Sequence, residues 1–272
     1  MTITPMPPEL LALGSDGNLL KTELIEAVTT HAIAHPRSAQ KAIGPSEVGH
    51  DCPRRLAYKL LDMPEADRGT PWLPTIGTAV HSWLEESLER DNARWVEMCG
   101  QPRWITETRV NAGDYNGTDV NGSADAYDRV TGTVIDWKVV GPTTLKKYKT
   151  KGPGTQYRTQ AHLYGRGFVR AGLPVERVMI AFLPRNSKLE DAHIWHELYD
   201  EQIAVDALQR LSGISLAVDA LGHQAVARLD TVDDYCGFCP FFRAGSTDPA
   251  EGCPGHAGSS AAANPFSDLL AG

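Results

Sequence analysis

The sequence lacks any run of about 18 apolar residues, the length a membrane-spanning helix needs; its best apolar stretch, residues 178–183, is the length of a strand. No basic patch precedes an apolar core at the N-terminus, so no secretory leader is expected. No phosphate loop of G-x4-G-K-[ST] type occurs, which excludes a nucleotide-driven motor of that class within these residues. No internal repeat is evident. Positive charge is scarce: 26 Lys+Arg stand against 34 Asp+Glu, a formal net charge of -8. Taken alone, that balance argues against a bulk polyanion binder. Cysteines are few and odd in number, five, which suits a reducing cytoplasm better than a disulfide framework. Nor are staples needed, because a chain of 272 residues buries roughly 70–75% of its unfolded surface.

What is present reads as alternating helices and strands. Leu20, Leu24, Ile25, Val28 and Ala32 fall near helical spacing, and the spacing predicts a helix over 19–35 that Pro36 ends. A second helical stretch runs from Ser46 to Leu61, its regular part starting at Pro53. Val80, Leu84 and Leu88, four apart, mark a helix over 76–90. Short strands are expected at 107–111, 118–127, 133–140 and 176–183. Helices are expected at 155–171, closed by Gly172, and at 200–221. Residues 255–265 are small and nearly uncharged, as in a flexible linker.

The informative stretch is Gly122-Ser-Ala-Asp125 followed by Ile135-Asp136-Trp137-Lys138, two strands joined by the turn at 129–132. Asp136 and Lys138, two apart, emerge on one face, and Asp125 on the partner strand can face Asp136. Two close carboxylates repel unless a cation lies between them. Oxygen ligands suit Mg2+ or Mn2+, and such an ion can activate water against a phosphodiester. D-x-K alone is common and reads as a solvated ion pair. Two further pieces add weight. His81 and Glu85 share a helix face at i and i+4, and Gln160 and Tyr164 share a face of a later helix.

In this order, Gly77…His81…Glu85, Gly122…Asp125, Asp136-x-Lys138 and Gln160-x3-Tyr164 resemble the PD-(D/E)xK nuclease superfamily. Within it they are most similar to the RecB-like exonuclease branch, which includes AddB and the exonucleases of CRISPR adaptation. The resemblance implies an α/β fold, a central mixed β-sheet flanked by helices in a restriction-endonuclease-like core, with a C-terminal cysteine-rich region. It divides the chain into an N-terminal extension with one helix (1–45), a nuclease domain (46–254) and a tail (255–272). It implies an Mg2+- or Mn2+-dependent exonuclease acting on single-stranded DNA or DNA ends, in recombination, repair or phage DNA metabolism. Metal ligands would be His81, Asp125, Asp136 and the Trp137 carbonyl. Lys138 would position or activate water, Glu85 would act near the ligands, and Gln160 and Tyr164 would shape the site.

The cysteines carry a second resemblance. Cys52-Pro-Arg-Arg and the late group Cys236-x2-Cys239…Cys253 are similar to the iron–sulfur members of that branch. The resemblance implies that Cys52, Cys236, Cys239 and Cys253 ligate a 4Fe-4S cluster tying the two ends of the domain. The spacing from Cys239 to Cys253 is longer than the family pattern. A purely local reading makes Cys236, Cys239, Cys253 and His256 a Zn2+ site and leaves Cys52 as a buried thiol. Cys99 has no partner in sequence and reads as a small apolar residue. His193 and His196 read as core or surface histidines.

Lys146, Lys147, Lys149 and Lys151, then Tyr157-Arg158, form the densest basic run, directly after the D-x-K strand. Cations there can neutralise phosphates, and interleaved aromatics can stack on unpaired bases. Arg54 and Arg55 are further candidate DNA contacts. The apolar segment 264–272 could dock on a recombination or replication protein, or be a frayed terminus. The rival reading of the whole chain is a non-hydrolytic DNA-end-binding adaptor with a structural zinc or iron–sulfur site.

Overall fold

The computed structural model describes residues 17–34, 42–66, 72–232 and 236–256. The segment 264–272 lies outside them. Two compact units are present: 1–40 with 68–75, and 41–67 with 76–272. In the first, helix α1 (Gly17–Ala34) carries Leu20, Leu24, Ile25 and Val28, all exposed.

The second unit holds the sheet. A short helix α2 (Pro45–Val48) precedes α3 (Pro53–Leu60), whose regular helix starts at Pro53 as expected, because proline is tolerated as a helix's first residue. Cys52 caps α3. Helix α4 (Trp72–Cys99) is nearly twice the length its apolar repeat marked. A hairpin follows, β1 (Trp104–Tyr115) and β2 (Thr118–Asp128), then β3 (Thr133–Val140), α5 (Pro142–Lys151), α6 (Gly154–Arg170), β4 (Arg177–Pro184), β5 (His193–Leu198), α7 (Glu201–Leu221) and the short α8 (Ala225–Arg228). The five strands lie in chain order in one sheet. Only β3 and β4 are parallel, and the α5–α6 crossover joins them, so the sheet is mixed.

Local chemistry explains the boundaries. Asn116 and Gly117 both have positive φ (49° and 81°), the conformation a two-residue hairpin turn requires. Gly172 (φ 85°) follows the C-cap Ala171 and turns the chain out of α6. Asp200 accepts the Gln202 N–H at 2.9 Å and starts α7. Helix α5 is absent from the sequence reading because Leu145 is its sole buried residue, too little for a stripe. Pro142 at its start and Lys149 and Lys151 in its last turn favour it instead. Strand β5 was likewise missed. Its residues alternate between half-buried and exposed, with His193, Trp195 and Glu197 inward.

Two core clusters sandwich this architecture. One joins α3, α7 and the turn end of the β1–β2 hairpin through Leu56, Tyr58, Val120, Leu208 and Leu211. The other packs α6 on β3 and β4 through Val134, Ala161, Tyr164, Phe168, Val178 and Ile180. The cysteine-rich segment is tied to α3 at several points. Arg54 Nε and Nη2 donate to the Leu229 carbonyl, the Tyr58 hydroxyl donates to Pro249, and Tyr58 stacks on Phe241.

Candidate active site

The site forms where two strands part. The β2–β3 ladder runs from Asp128↔Thr133 to Ala126↔Ile135, and the next step would pair Asp125 with Asp136. There the ladder stops while β3 continues along β4. Asp125 fills the fork: its Oδ2 accepts the Trp137 N–H at 2.7 Å. Its Oδ1 lies 3.1 Å from His81 Nδ1, so α4 supplies an imidazole. Asp136 is 2% exposed. Its Oδ1 accepts from Gln160 Nε2 on α6 at 2.9 Å, and Oδ2 lies 2.6 Å from Lys138 Nζ. Oδ2 is thus held by the Lys138 ammonium, while Gln160 Oε1 has no hydrogen-bond partner. Lys138 Nζ also sits 4.9 Å from the centre of the Tyr157 ring.

The electrostatics follow from burial. Burial pushes the Asp136 carboxyl up to about 6; Lys138 opposes the shift and the Asp125 charge adds to it. Burial alone would lower His81, but the hydrogen bond and charge of Asp125 hold it above its ordinary value. Burial raises the Tyr164 hydroxyl, with Asp136 and Asp125 adding to the effect, so Tyr164 acts as a neutral hydrogen-bonding group. Gly122 makes room for it. A Cβ there would meet Pro45 at 2.7 Å and Tyr164 at 3.2 Å.

Asp125, Asp136, Lys138, His81, Gln160 and Tyr164 thus converge. Glu85 lies one turn beyond His81 and is half-buried. The acidic group that joins His81 and Asp125 is Glu107, which the sequence reading placed on a strand without a role. Ligand atoms of His81, Glu107 and Asp125 all lie within 4.8 Å of one another. The flanking pairs Thr106↔Ala126 and Thr108↔Ala124 set Glu107 opposite Asp125. Its φ of 41° is left-handed. The usual alternation slips here: Ile105 and Val110, an odd number apart, pack into one cluster, as do Ala124 and Tyr127. The donor set of an imidazole and carboxylates fits a divalent cation.

The four cysteines of the sequence reading also meet. Cys52, Cys236, Cys239 and Cys253 line one cavity with His50, Arg55, Tyr58 and Phe242. Backbone N–H groups of His256 and Gly255 point at the sulfurs of Cys236 and Cys253 at 3.3 and 3.4 Å. His256 itself does not line the cavity, and its Nδ1 lies 3.2 Å from the Thr231 hydroxyl. Burial raises the Cys239 thiol. Cys99 is exposed.

The basic residues separate. Lys146, Lys147, Lys149 and Lys151 are exposed on α5, and Lys149 Nζ donates to the Asp191 carbonyl at 3.0 Å. Tyr148 is no open stacking platform, because it lies on Phe182 at 4.2 Å between centroids. Arg158 is paired with Glu197 at 2.6 Å, which His162 also contacts. Arg54, expected at DNA, spends its guanidinium on Leu229, so its role here is to join segments. Arg55 faces the cysteine cavity.

Among the described residues, no helix is long and apolar enough to cross a membrane. No protein-family model matches the sequence, and no curated protein matches it. Solved structures do resemble it at low identity. SSO0001 aligns at a TM-score of 0.46 and 15% identity, over 82% of this chain and 94% of that one. The alkaline exonuclease LHK-Exo from Laribacter hongkongensis aligns at 0.39 and 11%, over 72% and 93%. A phage-related exonuclease from Haemophilus somnus 129PT aligns at 0.32 and 12%, over 50% and 68%.

Proposed function

We propose that this chain is a divalent-cation-dependent deoxyribonuclease that hydrolyses phosphodiester bonds as an exonuclease, on single-stranded DNA or DNA ends. The observation that carries the reading is the buried pair Asp125–Asp136 with Lys138 on the same strand as Asp136. Two carboxylates and an ammonium are held in a fork that burial keeps from bulk water, with Asp136 Oδ2 2.6 Å from Lys138 Nζ. Asp125, Asp136 and His81 would hold Mg2+ or Mn2+, together with the Trp137 carbonyl. A bound ion supplies Lewis acidity toward a phosphate oxygen and lowers the pKa of its water.

The residues then divide the work. The Trp137 N–H fixes the Asp125 carboxylate, and the Gln160 amide fixes that of Asp136. Lys138 would orient the attacking water and offset charge developing on the phosphate. The Tyr157 ring beneath Lys138 limits where the ammonium can swing. Tyr164 would offer its neutral hydroxyl to the phosphate. The exposed lysines of α5 would neutralise backbone phosphates.

The cysteine cavity would hold a 4Fe-4S cluster on Cys52, Cys236, Cys239 and Cys253. What supports this over a local zinc site is the arrival of Cys52, from an early helix, beside the three late thiols, while His256 stays outside. Its role would be to clasp the two ends of the nuclease domain. The segment 264–272 would serve as a docking peptide for a recombination or replication protein. The test of the reading is hydrolysis of end-labelled single-stranded DNA with Mn2+. DNA binding without cleavage would instead favour the adaptor reading.

A further inference from the structure

We propose that Glu107 is a cation ligand, completing with His81 and Asp125 a three-residue position that selects Mn2+ over Mg2+. The inference rests on the cation-dependent reading above and deepens it, since the D-x-K pattern contains no such residue.

Three elements deliver the three groups: α4 brings His81, β1 brings Glu107 and β2 brings Asp125. Their ligand atoms lie within 4.8 Å of one another. Ligands about 2.0–2.2 Å from a common ion are separated by up to roughly 4.4 Å, so small side-chain shifts close the set. The charges ask for a cation. Glu107 and Asp125 set two carboxylates beside His81, whose imidazole also feels the Asp136 charge, and Asp136 is itself paired with Lys138. A second observation lies next to the set, at the amide that holds Asp136. Gln160 is 4% exposed, yet its Oε1 has no hydrogen-bond partner, while its Nε2 is spent on Asp136. An ion-bound water could donate to that oxygen.

The backbone is consistent with this role. A glutamate with φ 41° interrupts β1 directly opposite Asp125. Such a conformation costs a β-strand residue about 1–3 kcal/mol and persists where surroundings enforce it. Selectivity follows from the donor set. Mg2+ favours oxygen and water in a strict octahedron, whereas an imidazole nitrogen raises affinity for Mn2+.

The experiment titrates Mn2+ into the EDTA-treated full chain and follows free Mn2+ by electron paramagnetic resonance. Glu107→Gln is expected to weaken Mn2+ binding by about tenfold or more. A tenfold excess of Mg2+ should leave Mn2+ bound in the wild type. Spin-echo modulation should show 14N coupling that His81→Gln removes. Glu107→Gly controls for folding. It removes the left-handed strain together with the side chain's own contacts, so its metal-free thermal midpoint is measured first, and the Mn2+-induced rise of the midpoint should vanish. Equal Mn2+ affinity in wild type and Glu107→Gln, or displacement by stoichiometric Mg2+, would overturn the proposal. If Mn2+ binding depends on Glu107 but the wild type never cuts DNA, the nuclease reading fails and the ligand assignment stands. If the wild type cuts and Glu107→Gln binds Mn2+ unchanged, the reverse holds.

Discussion

Asp125 takes the place of a backbone acceptor for Trp137: its Oδ2 receives the amide proton at 2.7 Å where β2 and β3 separate. One carboxylate therefore closes the fork and faces His81 at once. The two roles can be pulled apart. Asp125→Asn keeps an acceptor oxygen and should hold the thermal midpoint near that of the wild type while lowering cleavage by at least about 100-fold. Asp125→Ala strands the Trp137 N–H and should cost a further 1–3 kcal/mol or so of stability. Paired denaturation and cleavage assays check this. Equal stability of the two variants would show that the Trp137 contact does not matter.

Two aspartates at opposite ends of the β2–β3 ladder should respond to pH in opposite directions. Asp136, pushed up to about 6 from 3.8, is destabilising when charged. Its stabilising contribution is full below pH 3.8 and is lost as pH rises through about 6. Asp128 behaves conversely. Burial alone would raise it, but Arg103, bound at 2.8 and 2.7 Å, with Thr131 and the Val130 N–H, holds it below its ordinary value. Its contribution is present above pH 3.8 and is lost as pH falls through the depressed value. Urea titrations of metal-free Asp136→Asn and Asp128→Asn from pH 3 to 8 should flatten the neutral limb and the acid limb respectively. The same response in both would contradict the assignment.

For the cysteine cavity, metal analysis of anaerobically purified protein should find iron and acid-labile sulfide. Cys52→Ala should lose that iron, since Cys52 is the one ligand from the early half of the domain. Zinc without iron, retained in Cys52→Ala, is what the local four-ligand site would give instead.

The lysines of α5 should set the salt dependence of DNA binding. Replacing Lys146, Lys147 and Lys151 with Gln should weaken binding and reduce the slope of log K against log salt by about 2, near 0.7 per lost phosphate contact on single strands. Lys149 makes a poorer probe, because its ammonium already meets the Asp191 carbonyl. An unchanged slope would remove α5 from the DNA track.

Much of this was legible in the sequence where a residue's chemistry and its spacing agree. The D-x-K strand emerged with its expected bounds, Asp125 lies one step beyond the last ladder pair, level with Asp136, and Cys52 lines one cavity with the late cysteines. Glu107 was hidden by a local irregularity. Counting outward from the Asn116-Gly117 turn puts Thr108 opposite Asp125, but a bulge between Asn111 and Gly113 adds one residue to β1 and brings Glu107 there. Helix α5 was hidden because one buried leucine makes no periodic stripe. The arginines carry contacts that spacing does not show. Exposure cannot be read from composition, and Arg54 and Arg158 found partners within the fold, the Leu229 carbonyl and Glu197.

The most direct test of the central claim is a time course on 5′- and 3′-labelled single-stranded DNA with Mn2+, comparing wild type, Asp136→Ala and Lys138→Ala. The wild type should release short products from an end, and both variants should bind DNA without cutting it. Intact substrate with the wild type, or undiminished cutting by either folded variant, would contradict the account.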